Sequence, residues 1–320
     1  MRNYIIRRVL LIIPIMLGVT FLTFGLFRII PGDAAILRCG FGCTPQVLED
    51  LRHEQGLDRP WYEQYVDWLG GVFQGDLGHS LTESGLPVTS ELIDNHRLAV
   101  TGQVLIMTVI FSLVLGIPPG ILSAIRPGTP VDWLARLASV FGLSVPSFWM
   151  GTLIITFGFL WFDWTPPNFG RGYVPFFDDP WVNLQTFFFP SLVLASAVAA
   201  GIMRLTRSSL LEVMRNDYIR TAWSKGLRER TVIWRHALKN ALIPVTTVIG
   251  LQIGALLGGA VIIERVFALP GVGLYALEAI IRRDYLVVQG LVLISAVTYV
   301  VVNLVVDIAY GWLDPRIRYA

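Results

Sequence analysis

The chain has 320 residues and a formal net charge of +2, and 54% of its residues are hydrophobic against 15% charged. Its mean hydropathy is +0.62, whereas soluble domains carry about a quarter charged residues. Composition therefore excludes an ordinary soluble enzyme, and the near-neutral balance gives no ground for a nucleic-acid partner; the chain reads as a membrane protein.

In chain order, Arg2, Arg7 and Arg8 precede an uncharged run over 9–27. That run exceeds a signal-peptide core and no small-residue cleavage site follows, so it reads as a retained anchor. Further charge-free runs cover 98–125, 137–162, 181–203, 240–263 and 286–306. Each reaches the roughly 20 residues that cross a bilayer as helix. The expectation is an all-α, polytopic protein with six transmembrane helices. Most of the basic residues, among them Arg126, Arg136, Arg204, Arg207, Arg215, Arg220, Lys225, Arg228, Arg230, Arg235 and Lys239, fall on the side of the N-terminus. The positive-inside rule then gives an N-in, C-in orientation. Residues 1–97 read as a first span with an external helical loop (28–97), and 98–320 as a five-span core with a cytoplasmic loop (204–240).

Within the external loop, Thr44-Pro45 and Asp58-Arg59-Pro60 read as helix starts, and Gly56 and Gly70-Gly71 as stops. The second of these helices carries Trp61, Tyr62, Tyr65 and Trp68, a composition suited to the headgroup level. Two uses of the loop stay open, a contact surface for an external protein and a lid packed on the spans. Cys39 and Cys43 are the only cysteines and fall on the oxidising side. The glycines between them permit a local disulfide, and two free thiols are the alternative.

The spans are informative in what they lack. Apart from Lys239 at an edge, none of the six runs holds a Lys, Arg, Asp, Glu or His. An ion-coupled carrier, the alternative class, keeps such a group at membrane depth. Glu264 and Asp307 sit at span ends and read as interfacial. Ser144, Gln252 and Asn303 are weak candidates for lining a pathway. Gly254, Gly258 and Gly259 read as sites of close helix approach. The four histidines are scattered without a zinc spacing, and no glycine-rich phosphate loop ends in Lys-Ser/Thr. No catalytic residue, metal site or cofactor is predicted, so any energy must come from a partner.

The most informative stretch is the polar, basic segment 212–244 between the fourth and fifth runs. Asp217 reads as the cap of a short helix over 218–225, with Gly226 as its left-handed stop. Ile219, Ala222, Trp223 and Leu227 share one face, and Arg220, Ser224 and Arg228 another. A second helical stretch over 229–240 leads into the fifth run. A short amphipathic helix held between spans is built to dock on a cytoplasmic partner.

This segment resembles the cytoplasmic "EAA" loop of the membrane subunits of ATP-binding-cassette (ABC) importers, in the form of the dipeptide, oligopeptide and nickel class. The likeness is carried by Asp217-Tyr218-Ile219-Arg220-Thr221-Ala222, by Lys225-Gly226-Leu227, and by the run from Arg235 to Pro244. Thr221-Ala222-Trp223 stands where the general loop has Glu-Ala-Ala, and Pro244 comes later than in that pattern. Both departures fit the peptide and nickel branch. Pro31-Gly32-Asp33, Gly75-Asp76-Leu77-Gly78, Glu264-Arg265-Val266-Phe267, Arg282-Arg283-Asp284-Tyr285 and the C-terminal Asp314-Pro315-Arg316 extend the likeness over the chain.

The resemblance implies a permease subunit of a bacterial inner-membrane importer of di- or oligopeptides. It implies a second permease, two cytoplasmic ATPase subunits and an external solute-binding protein as partners. Nickel, glutathione or another small solute are the alternative cargoes. It further implies that Glu212, Asp217, Tyr218, Ile219, Arg220, Thr221, Ala222, Lys225, Gly226 and Leu227 couple the spans to an ATPase subunit.

Overall fold

The computed structural model describes residues 2–29, 34–39, 44–54, 56–81, 85–170 and 172–313. Among these, every regular element is helical apart from an isolated antiparallel bridge between His79 and Pro87. The first half holds α1 (Arg2–Ile29), α2 (Ala34–Cys39), α3 (Pro45–Glu54), α4 (Trp61–Phe73), α5 (Val88–Ile93), α6 (Arg97–Ile125), α7 (Pro130–Ser144) and α8 (Ser147–Phe162). The second holds α9 (Pro180–Val213), α10 (Asp217–Ser224), α11 (Glu229–Thr231), α12 (Leu238–Val266), α13 (Val272–Ile281) and α14 (Tyr285–Leu313). A π-helical segment, Val232–Ala237, joins α11 to α12.

Three helical stretches among the described residues are long and apolar enough to cross a membrane alone, namely Arg97–Ile125, Pro180–Val213 and Tyr285–Leu304. Two bent pairs bring the number to five if each is one span. The run 137–162, expected as one span, is broken: α7 and α8 meet at 100°. The cause is local. Val145 precedes Pro146 and is extended (φ −92°, ψ 122°), the conformation that a proline ring favours in its neighbour. The run 240–263 lies in α12, which bends by 54° between Gln252 and Ala255. α1, of 28 residues, contains the apolar stretch Leu10–Leu26.

The chain divides into two units. One comprises the residues up to Thr101 together with Pro270–Val301. In it the aromatic face of α4 packs on α1. Tyr65 sits edge-on to Phe21 and Phe24, at 5.7 and 5.4 Å between ring centres, and its hydroxyl shares a 2.9 Å hydrogen bond with Thr20. Trp61 and Tyr62 remain exposed. The stop expected at Gly70-Gly71 is not used. The helix runs on to Phe73 and turns at Gln74 and Gly75, the latter at φ +84°.

Two loop motifs noted in the sequence meet in the same unit. The buried Asp284 carboxylate accepts from the Ser80 hydroxyl at 2.5 Å and the Leu81 N–H at 3.0 Å. Below them Leu77, Val88, Leu92, Val272, Val287 and Leu291 form a core. Arg97 lies over the Tyr275 ring at 4.3 Å and pairs with Glu91 at 3.3 Å.

The other unit, Gly102–Leu269 with the residues from Val302 onward, is built around α9. Asp179 caps α9, accepting from the Trp181 and Val182 N–H groups, and Pro180 occupies its first turn. Glycines let neighbours come close. A Cβ at Gly116 would lie 2.6 Å from Ile202 Cγ2, one at Gly120 2.7 Å from the Met203 carbonyl oxygen, and one at Gly142 2.9 Å from Ala200 Cβ. Of the glycines expected to do this, a Cβ at Gly259 would lie 3.0 Å from Leu194 Cδ1, but one at Gly258 would meet nothing within 4 Å. The side chains of Gln103 and Asn183 bond reciprocally, as do Thr108 and Ser191 with the facing backbone. These polar groups of the spans stitch α6 to α9.

Glu264 corrects its expected interfacial place: it is 0% exposed. The end of α12 folds in because Ala268 adopts φ +51°, the Leu269 N–H returns to the Glu264 carbonyl at 2.8 Å, and Asn168 donates to the Phe267 and Ala268 carbonyls. The Asp307 side chain lies outside the described residues.

Candidate coupling site

The short helix exists where the polar segment was expected to form it, shifted by one residue at the start. Asp217 was expected to cap the helix. It is instead the first helical residue, and Asn216 (φ −70°, ψ 148°) holds the capping position without a side-chain cap bond. The Asn216 carbonyl accepts from Ile219 and Arg220 N–H groups. Asp217 serves the first turn as an acidic residue at the positive end of the helix. Its ion pair with Arg220, at 3.4 Å, is almost fully solvated and contributes little.

The other end follows the expectation. Gly226 has φ +73°. Its N–H donates to the Trp223 carbonyl at 2.9 Å, and the Leu227 N–H to the Ala222 carbonyl at 3.4 Å. That pair of bonds is a Schellman motif, and Leu227 completes it by packing beside Ala222. Nothing lies within 4 Å of a Cβ at Gly226, so its requirement for glycine is conformational and not steric.

Two side chains anchor the helix. Ile219 and Ala222 are buried, at 0% and 7% exposure, among Ile121 and Ala124 of α6, Leu210 of α9, and Val232, Ala237, Leu238 and Ala241 at the entry to α12. Trp223 was assigned to this face but its ring sits at the edge, 41% exposed. Tyr218 is also exposed, and its hydroxyl accepts from Asn240 Nδ2 at 2.9 Å, tying α10 to the first turn of α12. Asp217, Arg220, Thr221 and Lys225 are exposed, and Glu212 is exposed in the last turn of α9. The arrangement is a ledge with a fixed apolar underside and a charged, aromatic upper side. The predicted stretch 229–240 is helical throughout, but its middle, Val232–Ala237, is a π-helix that no local residue pattern signals.

The other expected residues fall elsewhere. Ser144 and Gln252 line one cavity of about 370 Å³, together with Val145, Pro146, Ser147, Leu194 and Leu256. It opens beside the α7–α8 break and the bend of α12. Asn303, on α14, is not among the lining residues. Cys39 is disulfide-bonded, which excludes a free thiol there; Cys43 lies outside the described residues.

Sequence reasoning missed one cluster in this unit. Asp132 of α7 is buried and receives Arg207 of α9, Nε to Oδ1 at 2.8 Å and Nη2 to Oδ2 at 3.1 Å. A helix start at Thr129-Pro130 with an acid in the first turn was the available local signal, but nothing local pointed to a partner 75 residues away.

An all-helical membrane protein with a small helix seated on the ends of its long ones is the class these features define. The chain belongs to the binding-protein-dependent transport system inner membrane components: the profile of that family matches residues 116–319, and that of the N-terminal part of such membrane components matches residues 1–101. It is 39% identical to the dipeptide transport system permease protein DppB of Alkalihalophilus pseudofirmus, over all of both chains. It is 40% identical to the oligopeptide transport system permease protein AppB of Bacillus subtilis, again over all of both. To the dipeptide transport system permease protein DppB of Escherichia coli K12 it is 40% identical, over 100% of this chain and 99% of that one.

Proposed function

We propose that the chain is the permease subunit of an ABC importer for di- or oligopeptides, in the inner membrane of a bacterium. It spans the membrane six times, with α1 as the first span, the bent pair α7–α8 and the bent α12 counting as one each, and both termini in the cytoplasm. A second permease completes the pathway, two cytoplasmic ATPase subunits drive it, and an external solute-binding protein delivers the peptide. The names of the relatives, which are dipeptide and oligopeptide permeases over the whole chain length, support this cargo.

The observation that carries the reading is α10. Its buried Ile219 and Ala222 fix it to α6, α9 and α12, while Tyr218, Arg220, Thr221, Trp223 and Lys225 face outward. A rigid helix with these properties passes a push from an ATPase subunit directly to three long helices. Asp217, Gly226 and Leu227 hold its two ends in shape, and Glu212 flanks the contact. Ser144 and Gln252 are pathway residues in this reading, since neutral hydrogen-bonding groups suit a cargo already selected outside. Reconstitution with the partner subunits tests it. ATP-dependent uptake of a labelled peptide is expected, and uptake by this chain alone, indifferent to ATP, would overturn it.

A further inference from the structure

The importer reading leaves unexplained why the Asp132 carboxylate is buried against a guanidinium, that of Arg207, whose side chain stays 26% exposed, in the unit that carries α10. Burying an ion pair costs several kcal/mol of solvation per ion, and it returns that cost only with near-ideal geometry and full hydrogen bonding. Here both conditions are met. The Asp132 side chain is 2% exposed and takes two bonds from the Arg207 fork. Ser123 of α6 donates to Oδ1 at 2.5 Å while accepting from Arg207 Nε at 2.9 Å, and the Gly128 N–H donates to Oδ2 at 3.0 Å. One carboxylate therefore joins the last turns of α6, the α6–α7 turn, the first turn of α7, and α9.

Two of these helices, α6 and α9, also form part of the seat of α10. Ser123 lies between Ile121 and Ala124, and Leu210 is one turn beyond Arg207; all three apolar residues belong to the core cluster that holds Ile219 and Ala222. A planar, bidentate fork fixes the angle between α7 and α9 as well as their distance, which a lysine cannot do. We propose that Asp132 and Arg207 are positioning residues of the coupling step: they lock α6, α7 and α9 into one body beneath α10, so that displacement of α10 moves the helices instead of being absorbed between them. The inference rests on the importer reading of α10.

The test uses the complete transporter in proteoliposomes, with ATP hydrolysis and peptide uptake measured on the same vesicles and assembled complex quantified in each. Asp132→Asn and Arg207→Met each leave a polar partner uncompensated, so the neutral pair Asp132→Asn with Arg207→Gln, which removes the fork while leaving no charge unpaired, is measured beside them. Peptide taken up per ATP should fall about tenfold in all three, within the range by which residues between two sites alter their coupling. Arg207→Lys, which keeps the charge and loses the fork, should fall between these and the wild type. A purely structural role would lower uptake and hydrolysis in proportion to assembled complex, leaving their ratio unchanged, and that ratio would overturn the proposal. So would loss of assembly in the single and paired variants alike, which would make the pair a folding determinant. A wild-type complex that shows no ATP-dependent uptake would overturn the importer reading itself, and the clamp with it.

Discussion

Replacement of Gly226 separates a conformational requirement from a steric one. The residue sits at φ +73° with nothing within 4 Å of a Cβ, so every substitution meets the same open space and differs only in backbone cost. Placing an ordinary L-residue in the left-handed region costs about 1–2 kcal/mol, Asn tolerates it better, and a β-branched residue is worst. The motif this would break consists of the two backbone bonds from Gly226 and Leu227, which contribute roughly 0.5–1.5 kcal/mol each. A cost of about 2 kcal/mol at Val is therefore comparable to the whole cap, and the last turn of α10 should unwind in a large share of molecules. The unwinding would release Leu227 from beside Ala222 but leave the membrane helices untouched. Peptide uptake per ATP, measured with the purified complex, should rank Gly226 above Gly226→Asn, then Gly226→Ala, then Gly226→Val, with membrane insertion equal in all four. Normal transport by Gly226→Val, or an Asn variant as poor as the Val variant, would refute the reasoning.

Other substitutions probe other parts. Ile219→Ala removes a fully buried side chain from the seat of α10, and at about 2–5 kcal/mol it should detach the helix and expose the 212–229 region to protease. Gly120→Ala places a methyl group 2.7 Å from the Met203 carbonyl oxygen; overpacking of about 1–3 kcal/mol should lower the unfolding temperature in detergent, whereas Gly258→Ala should not change it. Asp284→Ala removes the carboxylate that accepts from the Ser80 hydroxyl and the Leu81 N–H, at roughly 1–3 kcal/mol, which limited proteolysis of the 74–97 region would detect. Gln252→Leu replaces an amide lining the 370 Å³ cavity by an apolar side chain of similar size, and should raise the KM for peptide uptake while leaving ATP hydrolysis and assembly as they were.

What the sequence discloses here is what local chemistry determines. Hydropathy runs located the long helices, and the Asn216–Leu227 neighbourhood carried its own start and stop, so α10 was found to within a residue. Proline shows where this ends. Pro118, Pro119, Pro190 and Pro244 all lie within helices, yet Pro146 ends one and starts another at 100°. The residue type is the same, and what differs is whether neighbouring helices re-satisfy the freed backbone groups, which no local pattern encodes. The burial of Glu264 has a similar origin, since a charge at the end of an apolar run looks interfacial until Ala268 turns the chain inward. The Asp132–Arg207 pair joins positions 75 residues apart. Its two halves read separately as an ordinary helix start and one more basic residue on the cytoplasmic side.

The central claim is that this chain works only as part of an ATP-driven assembly docked through α10. Mass spectrometry of what co-purifies with the full chain from its native membrane in mild detergent tests that most directly. The account predicts a second permease, ATPase subunits and an external binding protein, with the ATPase subunits lost when Ile219 and Ala222 are replaced by Asp. A chain that purifies alone and takes up solute after reconstitution without ATP would contradict it.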